Sequence, residues 1–288
     1  MSITTSKPPA MHSTINCKGR LIDLTRPLVM GIVNITDDSF YAGSRCNTED
    51  MITGRVQQHL SDGATFIDIG AYSTRPGCID IPAEEEMRRI ALAMKTINSL
   101  CPDAIVSVDT FRADVARYAV QECGVAIIND ISGGMLDAQM LATVAELHVP
   151  YILMHMKGTP QTMQDCCKYD DMMDEIVMFF ARQVETLKLL GANDIILDPG
   201  FGFAKDLDQN YQLMQHLDDF KVFGLPLLVG ISRKSMIYRL LGGKPDDALN
   251  GTTVLNTIAL TKGANILRVH DVKPAMEAIK ICEKIGLT

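Results

Sequence analysis

The chain has 288 residues, 47% of them hydrophobic, and a formal net charge of −8. That length suits one large domain or two small ones, with apolar residues enough for a sizeable core. The acidic balance argues against a nucleic-acid partner, which asks for a basic face. It leaves room for a small anionic ligand, because a local cluster of Arg and Lys can bind phosphate inside an acidic protein.

The eight cysteines contain no C-x-x-C pair, and no His/Cys spacing reads as a zinc site. They are expected to be reduced thiols in a reducing compartment. The N-terminal stretch lacks an apolar core of signal-peptide length. No apolar run is long enough for a membrane span. The expectation is a cytoplasmic protein with no membrane partner. Residues 1–16 are expected to be a disordered leader and residues 17–288 one domain.

In chain order, the segment from Thr14 to Arg26 is expected to form a small hairpin plugging the floor of the fold. Short β-branched runs follow at Val29–Asn34, Phe66–Gly70, Ile105–Asp109, Ala126–Asp130, Tyr151–Met156, Ile195–Asp198, Leu227–Ser232 and Ile266–His270. They are almost continuously apolar, as parallel strands buried on both faces are. Helical stretches lie between them. Met87, Ile90, Met94 and Ile97 make one apolar stripe, after Pro82 and Glu84–Glu86 at a helix N-terminus. Val115, Ala119 and Val120 mark another, and Ile176, Phe180, Val184 and Leu187 a third. Strands alternating with helices without a linker-like break predict a single-domain (β/α)8 TIM barrel. One strand fewer would leave a doubly wound sheet.

In a barrel of this kind, ligands bind at the C-terminal ends of the strands. Nearly every predicted strand here ends in polar residues. Asn34 ends the first, and Ser73, Thr74 and Arg75 follow the second. Asp109 ends the third, Asn129 and Asp130 the fourth, and His155 lies on the fifth. Asp198 and a Gly-rich PGFGF end the sixth, Ser232–Ser235 follow the seventh, and Arg268 and His270 lie on the eighth. Each has a structural explanation taken alone. Asp109 suits a helix cap, Asp198 a turn, Arg268 an ion pair, and His155 a satisfied core position. Together they read as a polar ligand pocket. Asp109, Asn129, Asp198 and Lys234 offer the acceptors and donors to read a planar heterocycle, and a carboxylate can accept two parallel N–H bonds. Asn34, Arg75, Arg268 and His270 read as an anion site. There is no G-x-x-x-x-G-K-[ST] loop for a nucleoside triphosphate.

Eight motifs in order carry a resemblance: MGIVNITDDSF at Met30–Phe40, STRPG at Ser73–Gly77, SVDT at Ser107–Thr110, INDISGG at Ile128–Gly134, LMHMKGTPQTMQ at Leu153–Gln164, LDPGFGFAK at Leu197–Lys205, LLVGISRKS at Leu227–Ser235 and RVHDV at Arg268–Val272. The sequence resembles the dihydropteroate synthase family of folate biosynthesis. The resemblance implies a transferase. It would join p-aminobenzoate to 6-hydroxymethyl-7,8-dihydropterin pyrophosphate and release pyrophosphate by an SN1-like displacement. It implies a pterin pocket of Asp109, Asn129, Met154, Asp198, Phe203 and Lys234. Asn34, Arg75, Arg268 and His270 align with the pyrophosphate side, and Phe40, Thr74, Pro76 and Ser235 with p-aminobenzoate. Asp109, Lys234 and Arg268 are the catalytic candidates. Mg²⁺ held partly by Asn34, sulfonamides as inhibitors and a homodimer through Asp246–Thr261 and Pro274–Ile285 are further implications. Two positions depart from the family pattern: Asp37 stands where Pro is usual, and Tyr72 where Glu is usual. A pterin-barrel methyltransferase would share the heterocycle-reading residues but has no use for the SRKS and RVH cations. A non-catalytic pterin-binding barrel is the second alternative.

Overall fold

The computed structural model describes residues 14–35, 49–73 and 80–287. Two short strands open it, β1 (Thr14–Cys17) and β2 (Arg20–Asp23), paired as an antiparallel hairpin. β1 therefore takes in Thr14–Asn16, which the sequence reading gave to the leader.

Eight parallel strands follow: β3 (Leu28–Asn34), β4 (Phe66–Gly70), β5 (Ile105–Asp109), β6 (Ile127–Asp130), β7 (Tyr151–Met154), β8 (Ile195–Asp198), β9 (Leu228–Val229) and β10 (Ile266–Val269). Their order is β8-β7-β6-β5-β4-β3-β10-β9. A parallel bridge between Leu197 and Leu227 joins the two ends of that row and closes the barrel. The outer ring consists of α1 (Glu49–Ser61), α2 (Ala83–Leu100), α3 (Ala113–Gln121), α4 (Met140–Leu147), α5 (Met172–Leu189), α6 (Leu207–Gln215), α7 (Ser235–Leu241), α8 (Leu249–Thr261) and α9 (Val272–Lys284). The predicted stripes fall inward, with Ile90, Met94 and Ile97 buried on α2 and Ile176, Phe180, Val184 and Leu187 buried on α5. While the fourth, fifth and eighth predicted strands lose one or two residues, the seventh shrinks most, to Leu228–Val229. Pro226 before it has no N–H to donate, although its carbonyl accepts from Leu197.

Side chains on a strand alternate between faces, which divides the barrel interior into layers. Met30, Phe66, Ile105, Ile127, Ile152, Ile196, Leu228 and Ile266 form one buried cluster. Ile15, Cys17, Ile22 and Leu24 of the hairpin region belong to the same cluster, so the hairpin does plug the floor. Two residues further along each strand stand Ile32, Asp68, Ser107, Asn129, Met154, Asp198, Gly230 and Arg268. The interior thus changes from apolar to largely polar within one step of the strand repeat. The other parity, including Ile67, Val108, Leu153 and Leu267, packs outward against the helices.

The floor cluster gives a direct test. Leu24 is fully buried in it, and Leu24→Ala is expected to cost about 2–5 kcal/mol of stability in urea unfolding. A cost under about 0.5 kcal/mol would mean that the hairpin does not act as a plug.

Candidate functional site

Asp68 and Arg268 belong to the second interior layer, on β4 and β10, the two strands that flank β3. The Arg268 Nε donates to Asp68 Oδ2 at 2.7 Å, and Arg268 Nη2 lies 2.6 Å from the same oxygen. Arg268 Nη2 also donates to Asp109 Oδ2 at 3.0 Å, at the end of β5. Asn129 Nδ2 on β6 adds a 3.2 Å bond to Asp68 Oδ2. Two carboxylates, one guanidinium and one amide are therefore a single network. Asp109 does not cap a helix. Its α3 neighbour begins after Arg112, and the Ala113 N–H is taken by Asp137. Burial pushes the Asp109 carboxyl above the usual carboxylate range, Arg268 opposes that, and the nearby charges of Asp68, Glu86 and Asp130 reinforce it.

Across the mouth, Asp198 ends β8 and turns back on its own loop, accepting the Gly200 N–H at 2.8 Å. That loop needs glycine. Gly200 has φ +74°, and a Cβ there would stand 2.1 Å from the His155 carbonyl oxygen. Lys234, just before α7, reaches over it. The Lys234 Nζ donates to the Phe201 carbonyl and lies 4.6 Å from the centre of the Phe203 ring. Burial raises the Asp198 pKa, with Lys234 the largest opposing influence. Burial brings Lys234 down to about 8, with Asp198 resisting.

The loop is held from below by Lys205, which sequence reasoning did not single out. Its buried Nζ lies 3.2 Å from His155 Nδ1 and donates to the carbonyls of Gly200 at 3.0 Å and Phe203 at 3.1 Å. Burial lowers its pKa to about 7. His155 is the satisfied core histidine that the sequence suggested, packed edge-on against Phe179.

These groups surround a cavity of about 720 Å³, a volume suited to a small organic ligand. Asn34, Asp109, Asn129, Met154, Asp198, Phe203, Lys234, Ser235, Arg268 and His270 all line it. The structure thus brings together the described members of the predicted site. Phe40, Thr74, Arg75 and Pro76, with Asp37, lie outside the described residues. Ile131 and Met163 join Met154 as apolar lining. Arg233, next to Lys234 in sequence, has another task. It pairs with Asp271 at 2.8 and 3.0 Å and donates to the carbonyls of Pro245 and Asp246. Tyr72 lines the cavity from β4's exit, accepts from Gln161 Nε2 at 3.0 Å and meets Phe111 edge to face. It forms an aromatic wall tied to the loop after β7.

A model of the pterin binding enzymes matches residues 30–270. The dihydropteroate synthase of Escherichia coli K12 is 41% identical over 268 residues, covering 92% of this chain and 94% of that protein. A crystal structure of Yersinia pestis dihydropteroate synthase with a sulfonamide drug has a TM-score of 0.89 at 41% identity, covering 95% of this chain and 98% of the other. The Xanthomonas albilineans enzyme with 4-aminobenzoic acid has a TM-score of 0.87 at 35% identity, covering 96% and 99%.

The two depressed lysines can be seen directly. In ¹³Cε-labelled protein, Lys234 is expected to titrate at about 8 and Lys205 at about 7, with Lys234→Gln and Lys205→Gln assigning the signals. Both signals titrating with the exposed lysines near 10.4 would contradict the burial described.

Proposed function

The chain belongs to the dihydropteroate synthase family of pterin binding enzymes, and from this we infer how its own residues carry out that family's reaction. The enzyme is a transferase. It condenses 6-hydroxymethyl-7,8-dihydropterin pyrophosphate with p-aminobenzoate and releases pyrophosphate. The observation that carries the reading is one cavity with two chemistries on its walls. Asp198, Asn129, Asp109 and Lys234 supply acceptors and donors for a heterocycle rich in N–H groups. Arg268, His270 and Asn34 face the needs of a diphosphate. The methyltransferase alternative offers no use for that second set.

In the proposed mechanism, Asp198 accepts from the guanidine-like edge of the pterin and Lys234 donates to its ring carbonyl. Met154 and Phe203 supply apolar contact surface. The C–O bond to pyrophosphate breaks first, and pyrophosphate leaves with the electron pair. The resulting methylene cation is delocalised over the pterin ring. Asp109 stabilises it in its ionised form, which the Arg268 guanidinium favours against burial, since a preorganised opposite charge in a water-poor site costs no reorganisation as the charge develops. The amine of p-aminobenzoate then bonds to the methylene carbon and loses a proton to solvent. Arylamine attack on a cation needs no dedicated base. Ser235 is assigned to the p-aminobenzoate side, and sulfonamides to competition there.

The site also suits Mg²⁺. Asn34 ends β3 with a hard amide oxygen, 2.8 Å from where a Cβ on Gly70 would stand, so glycine on the next strand leaves the amide its place. One amide fits an ion that keeps most of its shell as water and substrate oxygens. Mg²⁺ there would neutralise charge on the leaving pyrophosphate. A homodimer is proposed through α8 and α9, whose solvent faces carry exposed Val254, Ile258 and Ile281, with exposed Ile285 just past the end of α9. A cytoplasmic location is proposed on the sequence reading alone; no described helix is long and apolar enough to cross a membrane.

Mass spectrometry of protein mixed with dihydropterin pyrophosphate, p-aminobenzoate and Mg²⁺ tests the reading. It should show the mass of dihydropteroate, and Lys234→Ala should slow its formation roughly a hundredfold or more. Bound pterin with no product would contradict the assigned reaction, and full activity in Lys234→Ala would contradict the pocket.

A further inference from the structure

Asp68 is a buried charged group that the mechanism above does not use. It sits in the middle of β4, is fully buried, and does not line the cavity. Its bonds are unevenly placed. Oδ2 takes Arg268 Nε, Arg268 Nη2 and Asn129 Nδ2, while Oδ1 is buried without a hydrogen-bond partner among the described residues. A carboxylate held this way is costly, because a buried charge needs close pairing and its remaining lone pairs go unmet. The same interior layer tolerates apolar side chains, with Ile32 on β3 and Met154 on β7. Filling space therefore does not call for Asp. What Asp68 holds does: the Arg268 guanidinium of the anion side and the Asn129 amide of the heterocycle side.

The grip is also directional. Both Asp68 contacts fall on the Nε and Nη2 side of the guanidinium. Nη2 is shared with Asp109, and Nη1 has no partner among the described residues. Asp68 alone could orient the guanidinium if a ligand drew Nη2 away from Asp109.

We propose that Asp68 is a positioning residue for Arg268. Its buried Oδ2 fixes the Nε edge, so that the outer nitrogens of the guanidinium meet the diphosphate without first being ordered. The saving is one of preorganisation, and the third bond, from Asn129, registers the anion side against the pterin side. The proposal rests on the assignment of Arg268 to pyrophosphate made above.

A double-mutant cycle separates the two. The probe is inorganic pyrophosphate with Mg²⁺, read by calorimetry on wild type, Asp68→Asn, Arg268→Ala and the double variant. If Asp68 acts through Arg268, Asp68→Asn weakens binding on the order of tenfold in the wild-type background and less than about twofold in the Arg268→Ala background. A merely structural role would give equal losses in both, which overturns the proposal. So would unchanged affinity in Asp68→Asn while Arg268→Ala binds weakly. Unchanged affinity in Arg268→Ala would overturn the anion assignment itself, and this proposal with it. Circular dichroism checks the fold of each variant. Should Asp68→Asn not fold, Asp68→Glu keeps the charge but shifts it by one methylene. The same coupled loss is expected of it, and its absence overturns the proposal.

Discussion

Arg268 lies between Asp68 and Asp109, and the barrel mouth is arranged around that shared guanidinium. Three charges withdrawn from water are costly even when paired, and removing one partner leaves another uncompensated. The barrel answers this by supplying the partners from separate strands at matched heights. Asp68 comes from β4, Asp109 from β5, Asn129 from β6 and Arg268 from β10. The register of the parallel ladder, with Gly70 opposite Asp109 and Asp109 opposite Asn129, sets those heights. The closed sheet beneath is thus a condition for the electrostatics above it, and the apolar floor that the hairpin completes is a condition for the sheet. The cluster sets two carboxyl groups against one guanidinium, an arrangement that suits the development of a cation during the proposed reaction.

The opposite wall works through backbone. Asp198 is committed to the turn at Gly200, and Lys205 ties that turn to His155 from below. Lys234 crosses above it, bonded to the Phe201 carbonyl. Both lysines lose affinity for their protons through burial, Lys205 more than Lys234. Lys205 keeps the loop in shape and Lys234 lines the cavity, so two amines near one carboxylate have divided roles.

Much of this was legible in the sequence. Near-continuous apolar runs marked the parallel strands, and the polar residues at their ends marked the mouth. His155 as a core position and the hairpin as a plug also follow from pattern. Asp68 was missed for a definite reason. Attention to strand ends passes over mid-strand positions, yet Asp68 lies two residues after the floor residue Phe66 and so shares its inward parity. Counting in twos from the floor would have found it, and Ser107 with it. Parity could not reveal Lys205, whose role depends on how a loop folds back, nor that Arg233 would pair with Asp271 rather than join the anion site. The short β9 was equally hidden, because an apolar run does not tell where pairing stops.

A crystal structure with the dihydropterin pyrophosphate bound tests the central claim most directly. The account predicts the pterin ring among Asp198, Asn129 and Lys234, and a guanidinium nitrogen of Arg268 on a phosphate oxygen while Nε stays on Asp68. A diphosphate lying away from Arg268, or an Arg268 that has left Asp68 to reach it, would contradict the account.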